Sequence, residues 1–323
     1  MKISRAIAVI GAGFVLVLVS AVWLAYQHDL RRERLRVAEG SQVIATRCGP
    51  IEFAAAGRGP AVLLVHGAGG GFDQGLGIAR ELAAHGYRAI AMSRFGYLRT
   101  PLPADASPAA QADAHACLLD ALGIERAAIV GVSAGAPSSM QFALRHPQRT
   151  TGLALLVPLA YAPRPEPELS SSARFMYTQA IKSDFLYWAA LRAAPAVVVR
   201  TILATPPEVF DAAHAREQAR AREVMRNILP VSARQAGLLN DAAVAAALAR
   251  YPLERIAAPA LVVSLKDDLY GTYESARYTA VQISGARFVG FESGGHAWLG
   301  HHDEIMAQLF AFLGGGAPTT TPE

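Results

Sequence analysis

The sequence predicts an α/β fold, with strands and helices alternating around a buried sheet, and three observations carry that prediction. Short apolar runs of strand length recur at 60–65, 127–130, 153–157, 260–264 and 286–291, each bounded by glycine, proline or polar residues. Helix-forming stretches separate most of them, and a chain of 323 residues that is 52% hydrophobic and 17% charged is ample for one large core. Ser133, the pair Asp267-Asp268 and His296, residue types that carry chemistry, fall just past the carboxyl ends of three strand-like regions, where open α/β sheets place functional groups.

Taken in order, the chain opens with an uncharged run over 6–26, which as a helix would span about 31 Å, close to the thickness of a hydrocarbon core. Trp23 and Tyr26 suit its interface, and Arg31, Arg32, Arg34 and Arg36 suit headgroups, so 1–36 reads as a transmembrane anchor with a basic flank. A cleaved signal peptide is the alternative, with Lys2 and Arg5 as its basic start and Val19-Ser20-Ala21 as its cleavage site. The run is longer than a usual signal core, which favours retention. Arginines after the span argue for a cytoplasmic domain and the short basic amino-terminal tail for an exported one; export, periplasmic or otherwise extracytoplasmic, is the expectation. A chain beginning near Arg36 is expected to be soluble and active.

Residues 42–47 and 51–56 read as a hairpin around Gly49-Pro50, followed by the strand to His66. A glycine-rich turn, Gly67-Ala68-Gly69-Gly70-Gly71, then leads into a helix over 73–85, a strand over 87–92 and a loop, 93–97, near the site. A helix over 109–122 precedes the strand that ends in Gly131-Val132-Ser133-Ala134-Gly135. A strand reversing into a helix there forces the central residue into strained geometry, and the flanking glycines let the two elements approach. Ser133 Oγ would stand exposed, with the amide of Ala134 and the positive end of the next helix aimed at what it holds. Beyond the strand at 153–157 a proline-rich stretch, 158–167, marks a change of composition, and helix-forming residues rich in Ala and Arg continue to about Tyr251. The next strand runs into Lys266-Asp267-Asp268, and the one after it into Glu292-Ser293-Gly294-Gly295-His296.

A Ser, an acid and a His in this order, on an elbow of this kind, make the chain resemble the α/β-hydrolase superfamily over 41–313. The resemblance implies a mostly parallel eight-stranded sheet flanked by helices, a helical lid over about 158–251, nucleophile Ser133, acid Asp268, base His296, and an oxyanion hole from the amides of Ala68 and Ala134. Either Asp267 or Asp268 can follow the strand end. Leu265 replaces the glycine that usually marks this loop in the family, and counting from it favours Asp268, 28 residues before His296. The lid aromatics Phe175, Tyr177, Phe185, Tyr187 and Trp188 are expected mainly to pack its own helices, and its apolar residues to wall the acyl pocket. A tail over 314–323 is expected to lack structure.

Other residues carry blander readings. His85, His115, His146 and His214 suit surface or capping roles, His66 a structural role in the glycine-rich turn, and His301-His302-Asp303-Glu304 the opening of the last helix rather than a metal site. No cofactor is expected, and Gly11-Ala12-Gly13 lies in an apolar segment, not a nucleotide fingerprint. The net charge of +4 with scattered arginine gives nucleic-acid binding little support. Cys48 and Cys117 are expected to be free and buried, with a disulfide between them as the alternative. The chemistry these residues suit is cleavage of small to medium apolar esters through an acyl-enzyme. Carbon-carbon bond hydrolysis or perhydrolysis by the same triad, and a signalling module that binds a small apolar ligand, stay open beside it.

Overall fold

The computed structural model describes residues 2–163 and 182–314. Phe175, Tyr177, residues 164–167 of the proline-rich stretch and the tail beyond Gly314 lie outside them. Eight strands form one sheet in the order β1-β2-β4-β3-β5-β6-β7-β8: β1 Gln42–Thr46, β2 Gly49–Ala56, β3 Ala61–Val65, β4 Arg88–Met92, β5 Ala127–Val132, β6 Thr150–Leu156, β7 Ala260–Leu265 and β8 Arg287–Phe291. Only the β1–β2 and β2–β4 pairings are antiparallel; in sheet order from β4 to β8 every pairing is parallel. A mostly parallel sheet is covered on both faces, which is why its strands read as continuous apolar runs.

Alternate residues of each strand feed two separate cores. Leu63, Val65, Ile90, Ile129, Leu153, Leu155 and Val262 pack on one side against helices α3 Pro108–Ala121, α4 Ala136–Arg145 and α10 Thr272–Gln282. Val62, Leu64, Ala91, Val130, Leu156 and Val263 pack on the other against α2 Phe72–Ala84 and α11 His302–Leu313. Among the described residues, five further helices lie between β6 and β7: α5 Asp184–Ala193, α6 Pro195–Thr201, α7 Pro207–Ala212, α8 Ala215–Asn227 and α9 Gln235–Ala246. They share a third core with Tyr26, Leu30 and Leu299.

Four expectations change. The hairpin turns at Arg47-Cys48 rather than at Gly49-Pro50, because Thr46 pairs with Gly49 and its hydroxyl donates to the Gly49 carbonyl at 2.7 Å. That turn carries Cys48, which is exposed, over helix α3, where it forms a disulfide with buried Cys117, Cα to Cα 6.0 Å; a separation of 69 residues hid the pair from local reading. His115 is neither surface nor cap: it is fully buried where α3 meets α4, its Nε2 3.1 Å from Ser138 Oγ. Burial, with Arg94 adding to it, lowers its pKa to about 3.

The fourth change concerns helix α1, Lys2–Glu39, which runs through the boundary expected at residue 36. Its stretch from Ile10 is long and apolar enough to cross a membrane, and Phe14, Leu16, Val19 and Leu24 are exposed. Its stretch from Tyr26 to Arg36 instead docks on the inserted helices and on α2. Tyr26 stacks edge-on against Phe185 and Trp188, Trp188 Nε1 donates to Asp29 at 2.8 Å, and Arg36 donates to Asp73 at 2.6 Å. Tyr26, Leu30 and Glu33 are buried there, so part of the basic flank belongs to the folded core.

Candidate active site

Strand β5 ends at Val132, and Ser133 turns the chain with a φ of 49°, a left-handed conformation costly for any residue with a side chain. The glycines two residues to either side permit this approach. A methyl group at Gly131 would meet Ser139 Oγ at 2.5 Å, and one at Gly135 would meet the Val65 carbonyl at 2.4 Å. Pro137 occupies the first turn of α4, where a missing N–H costs nothing. Ser133 is thereby lifted above the sheet at the positive end of a helix.

His296 arrives on the loop after β8, its Nε2 2.9 Å from Ser133 Oγ and its Nδ1 2.7 Å from Asp268 Oδ2. A carboxylate only accepts, so the proton of the neutral imidazole sits on Nδ1 and Nε2 is left to accept from the serine hydroxyl. Asp268 lies past β7, its side chain fully buried, and its remaining lone pairs are filled by the Tyr270 amide at 2.8 Å and the Thr272 hydroxyl. Asp267 points elsewhere. Its carboxylate accepts from the amides of Gly294 and Gly295 at 3.0 and 2.8 Å, bracing the loop that carries His296.

The loop after β3 lies against the serine: a methyl group at Gly67 would stand 3.1 Å from Ser133 Cβ. The amides flanking Ala68 are committed, Gly67 N–H to Gln74 Oε1 at 2.7 Å and Gly69 N–H to Tyr97 Oη at 3.3 Å. Ala68 and Ser133 both line a cavity of about 220 Å³, together with His296, Ile202, Leu203, Val224, Ile228, Leu238 and Tyr270. Among the described residues, the inserted aromatics Phe185, Tyr187 and Trp188 are not among its walls. Tyr187 and Trp188 pack instead with α1 and α8, and Tyr187 Oη donates to the Met225 carbonyl.

His66 is held inside this loop, with Nδ1 2.7 Å from the Gly67 carbonyl and Nε2 accepting from the Arg94 amide at 2.9 Å. Burial, aided by the Arg94 charge, holds its pKa well below the ordinary imidazole range, so it is neutral and fully engaged. His302 opens α11 between Trp298 Nε1 at 3.3 Å and Glu81 Oε1 at 2.8 Å. His85 and His146 close α2 and α4, and His214 precedes α8.

Several residues that build the site carried no sequence signal. Arg94 forms a buried two-pronged pair with Asp241 at 2.6 and 2.7 Å and also donates to the carbonyls of His66 and Gly67. Tyr97 Oη adds a third donor to Asp241. Arg234 joins Asp73, at 2.8 Å, to the Gly70 carbonyl. Burial alone would raise the Asp73 pKa, but Arg234 and Arg36 together hold it below the usual carboxylate value. The carbonyl of Ala204, between α6 and α7, accepts from both Leu269 and His296 amides at 2.9 and 3.3 Å, clasping the acid loop to the histidine loop. Only the placing of 93–97 near the site pointed toward any of these.

Residues 60–302 match the family model described as the alpha/beta hydrolase fold. An alpha/beta hydrolase fold protein from Nakamurella multipartita is 31% identical, with a TM-score of 0.67 over 86% of this chain and 100% of that one. The enol-lactonase from Burkholderia xenovorans LB400 shares the fold, with a TM-score of 0.65 at 21% identity over 84% of this chain and 100% of that one. An uncharacterized protein of Mycobacterium tuberculosis is 41% identical over 105 residues, 32% of this chain and 30% of its own. The 2-hydroxy-6-oxo-6-phenylhexa-2,4-dienoate hydrolase of Comamonas testosteroni is 33% identical over 113 residues, 33% of this chain and 40% of its own. The chain thus spans less than half the length of these two curated relatives.

Proposed function

The chain belongs to the alpha/beta hydrolase fold family and is a hydrolase, and from that premise we propose that it cleaves carboxylic esters of small to medium apolar substrates through an acyl-enzyme on Ser133. The observation that carries this reading is the hydrogen-bonded chain from Ser133 through His296 to Asp268 at the wall of a largely apolar cavity. A serine hydroxyl is a weak nucleophile at neutral pH. As its Oγ attacks the ester carbonyl, His296 Nε2 takes its proton, and Asp268 stabilises the imidazolium while staying ionised. The tetrahedral oxyanion is held by the amides of Ala68 and Ala134. His296 then returns the proton to the leaving alcohol, and water repeats the sequence to release the acid.

Ile202, Leu203, Val224, Ile228 and Leu238 suit an apolar acyl or alcohol part, and the helices α5–α9 act as the lid that excludes water. The N-terminal helix anchors the enzyme in a membrane with its catalytic domain on the exported side. The Cys48–Cys117 disulfide supports that side, because such bonds persist in oxidising compartments. A second reading, carbon-carbon bond hydrolysis by the same residues, is favoured by the names of the dienoate hydrolases among the relatives.

The test is a fluorophosphonate probe together with p-nitrophenyl esters of increasing chain length. Labelling should map to Ser133, and Ser133→Ala should keep its fold while losing about a millionfold in kcat. Labelling that persists in that variant overturns the nucleophile assignment. A kcat/KM for a 2-hydroxy-6-oxodienoate about a hundredfold above that of every ester would replace the ester reading with the carbon-carbon one.

A further inference from the structure

A second cavity, of about 520 Å³, lies between helix α1 and the inserted helices. Trp188, Leu191, Val199, Phe210 and Met225 give it apolar walls. Around them stand four arginines, Arg32, Arg192, Arg222 and Arg226, and three carboxylates, Asp29, Glu33 and Asp211. The carboxylates leave much of the guanidinium capacity unspent. Arg192 donates to Asp29 at 2.5 Å, but Arg32 and Arg226 stand 3.5 and 3.6 Å from Glu33, too far for strong hydrogen bonds, and Glu33 already accepts from Arg36 at 2.6 Å. Arg222 donates to Gln218 Oε1 and lies over the Phe210 ring. Planar guanidinium groups with free N–H edges, set above apolar walls, match an oxyanion joined to a hydrocarbon chain.

The position of the cavity along α1 identifies where such an amphiphile would come from. If the uncharged run ending at Tyr26 fills the hydrocarbon core, Asp29, Arg32 and Glu33 follow about 5 to 10 Å further along the axis, at headgroup depth. Chemistry and depth therefore agree on a phospholipid. A zwitterionic headgroup would bring its own cation among the arginines, whereas an anionic one would not.

We infer that this cavity binds one anionic phospholipid of the bilayer, its phosphate held by Arg32, Arg222 and Arg226 and one acyl chain lying along Trp188, Leu191 and Phe210. The inference rests on the reading of α1 as a retained membrane helix. Native mass spectrometry of the full chain, released from detergent with equimolar phosphatidylglycerol and phosphatidylcholine of matched chains, tests it. One bound phosphatidylglycerol should be preferred by about tenfold. The double variant R222E/R226E should lose that preference, R222Q should lose part of it, and R31E, at an exposed position outside the cavity, should keep it. Equal adducts of the two lipids in the unaltered chain overturn the inference. So does a preference that survives in R222E/R226E, or one that falls equally in R31E, which would mark general surface attraction. If R222E/R226E does not melt as a folded protein, R222Q against R31E decides. Carbonate extraction of membranes, run separately, tests retention of the helix itself: release of the chain would sink the anchor and leave the headgroup result standing on its own.

Discussion

At the carboxyl edge of the sheet, Ser133, Asp268 and His296 meet because three short turns each deliver one residue, whereas the seam between α1, the inserted helices and the loop after β3 is held by side chains far apart in sequence. The contrast is visible in what each region spends. The elbow relies on backbone geometry: a left-handed serine, two glycines and a helix end. The seam relies on buried charge, with Asp73 between Arg36 and Arg234 and Asp241 against Arg94 and Tyr97. Buried ion pairs return little net stability, because desolvation offsets their attraction, but breaking one strands a charge in the interior. What they supply is registry. Arg94 and Arg234 together grip the carbonyls of His66, Gly67 and Gly70, so the loop bearing the Ala68 amide is set by the inserted helices as much as by its own strand.

The largest expected effect tests how finely a short turn discriminates. Asp268→Asn should lower kcat by about ten-thousandfold, since an amide favours the wrong imidazole tautomer, while Asp267→Asn should cost about tenfold, through the loosened Gly294-Gly295 loop. Side-by-side kinetics on one ester check this. The opposite ranking would mean that the neighbouring carboxylate orients His296 in solution and that strand-end geometry does not decide the site.

A smaller effect probes the seam. A chain starting at Val22 keeps Tyr26, Leu30 and Arg36 and should melt as the full domain does. One starting at Val37 discards two buried apolar side chains and one partner of Asp73, and should lose about 3–6 kcal/mol in denaturant unfolding. Equal stability of the two shortened chains would show that the docked turns of α1 add nothing to the fold, and would return the boundary to residue 36.

The last effect, confined to acid pH, lies beneath the elbow, where His115 is buried between α3 and α4. Its folded pKa is about 3, below the unfolded value near 6.5, so the native state binds fewer protons between those limits. Stability should therefore be level above pH 6.5 and decline as the pH falls toward 3. His115→Gln should remove that part of the decline in melting curves taken across the range. A slope unchanged by the substitution would show that His115 does not set the acid sensitivity; Asp73, whose pKa is lowered, keeps its contribution until the pH falls below the usual carboxylate range and so acts only at the acid end of that window.

The family, the α/β class with its eight strands, and the approach of Ser133 and His296 to an aspartate after β7 were legible because each depends on local order: apolar runs of strand length, an elbow pentapeptide, an acid and a histidine after successive strands. The apolar run that starts α1 was legible for the same reason, being a matter of composition and length. Tertiary structure alone decided the rest. Asp267 and Asp268 are adjacent in sequence and differ only in which way the turn points them. Arg94 and Asp241 are 147 residues apart, and Cys48 and Cys117 are 69. Arg36 reads as one more basic residue beside a membrane until Asp73 and the end of α8 stand beside it. Periodicity and motifs record what a residue does with its near neighbours along the chain. Which distant carboxylate a buried arginine meets depends on how finished elements pack, and one sequence carries no local mark of that.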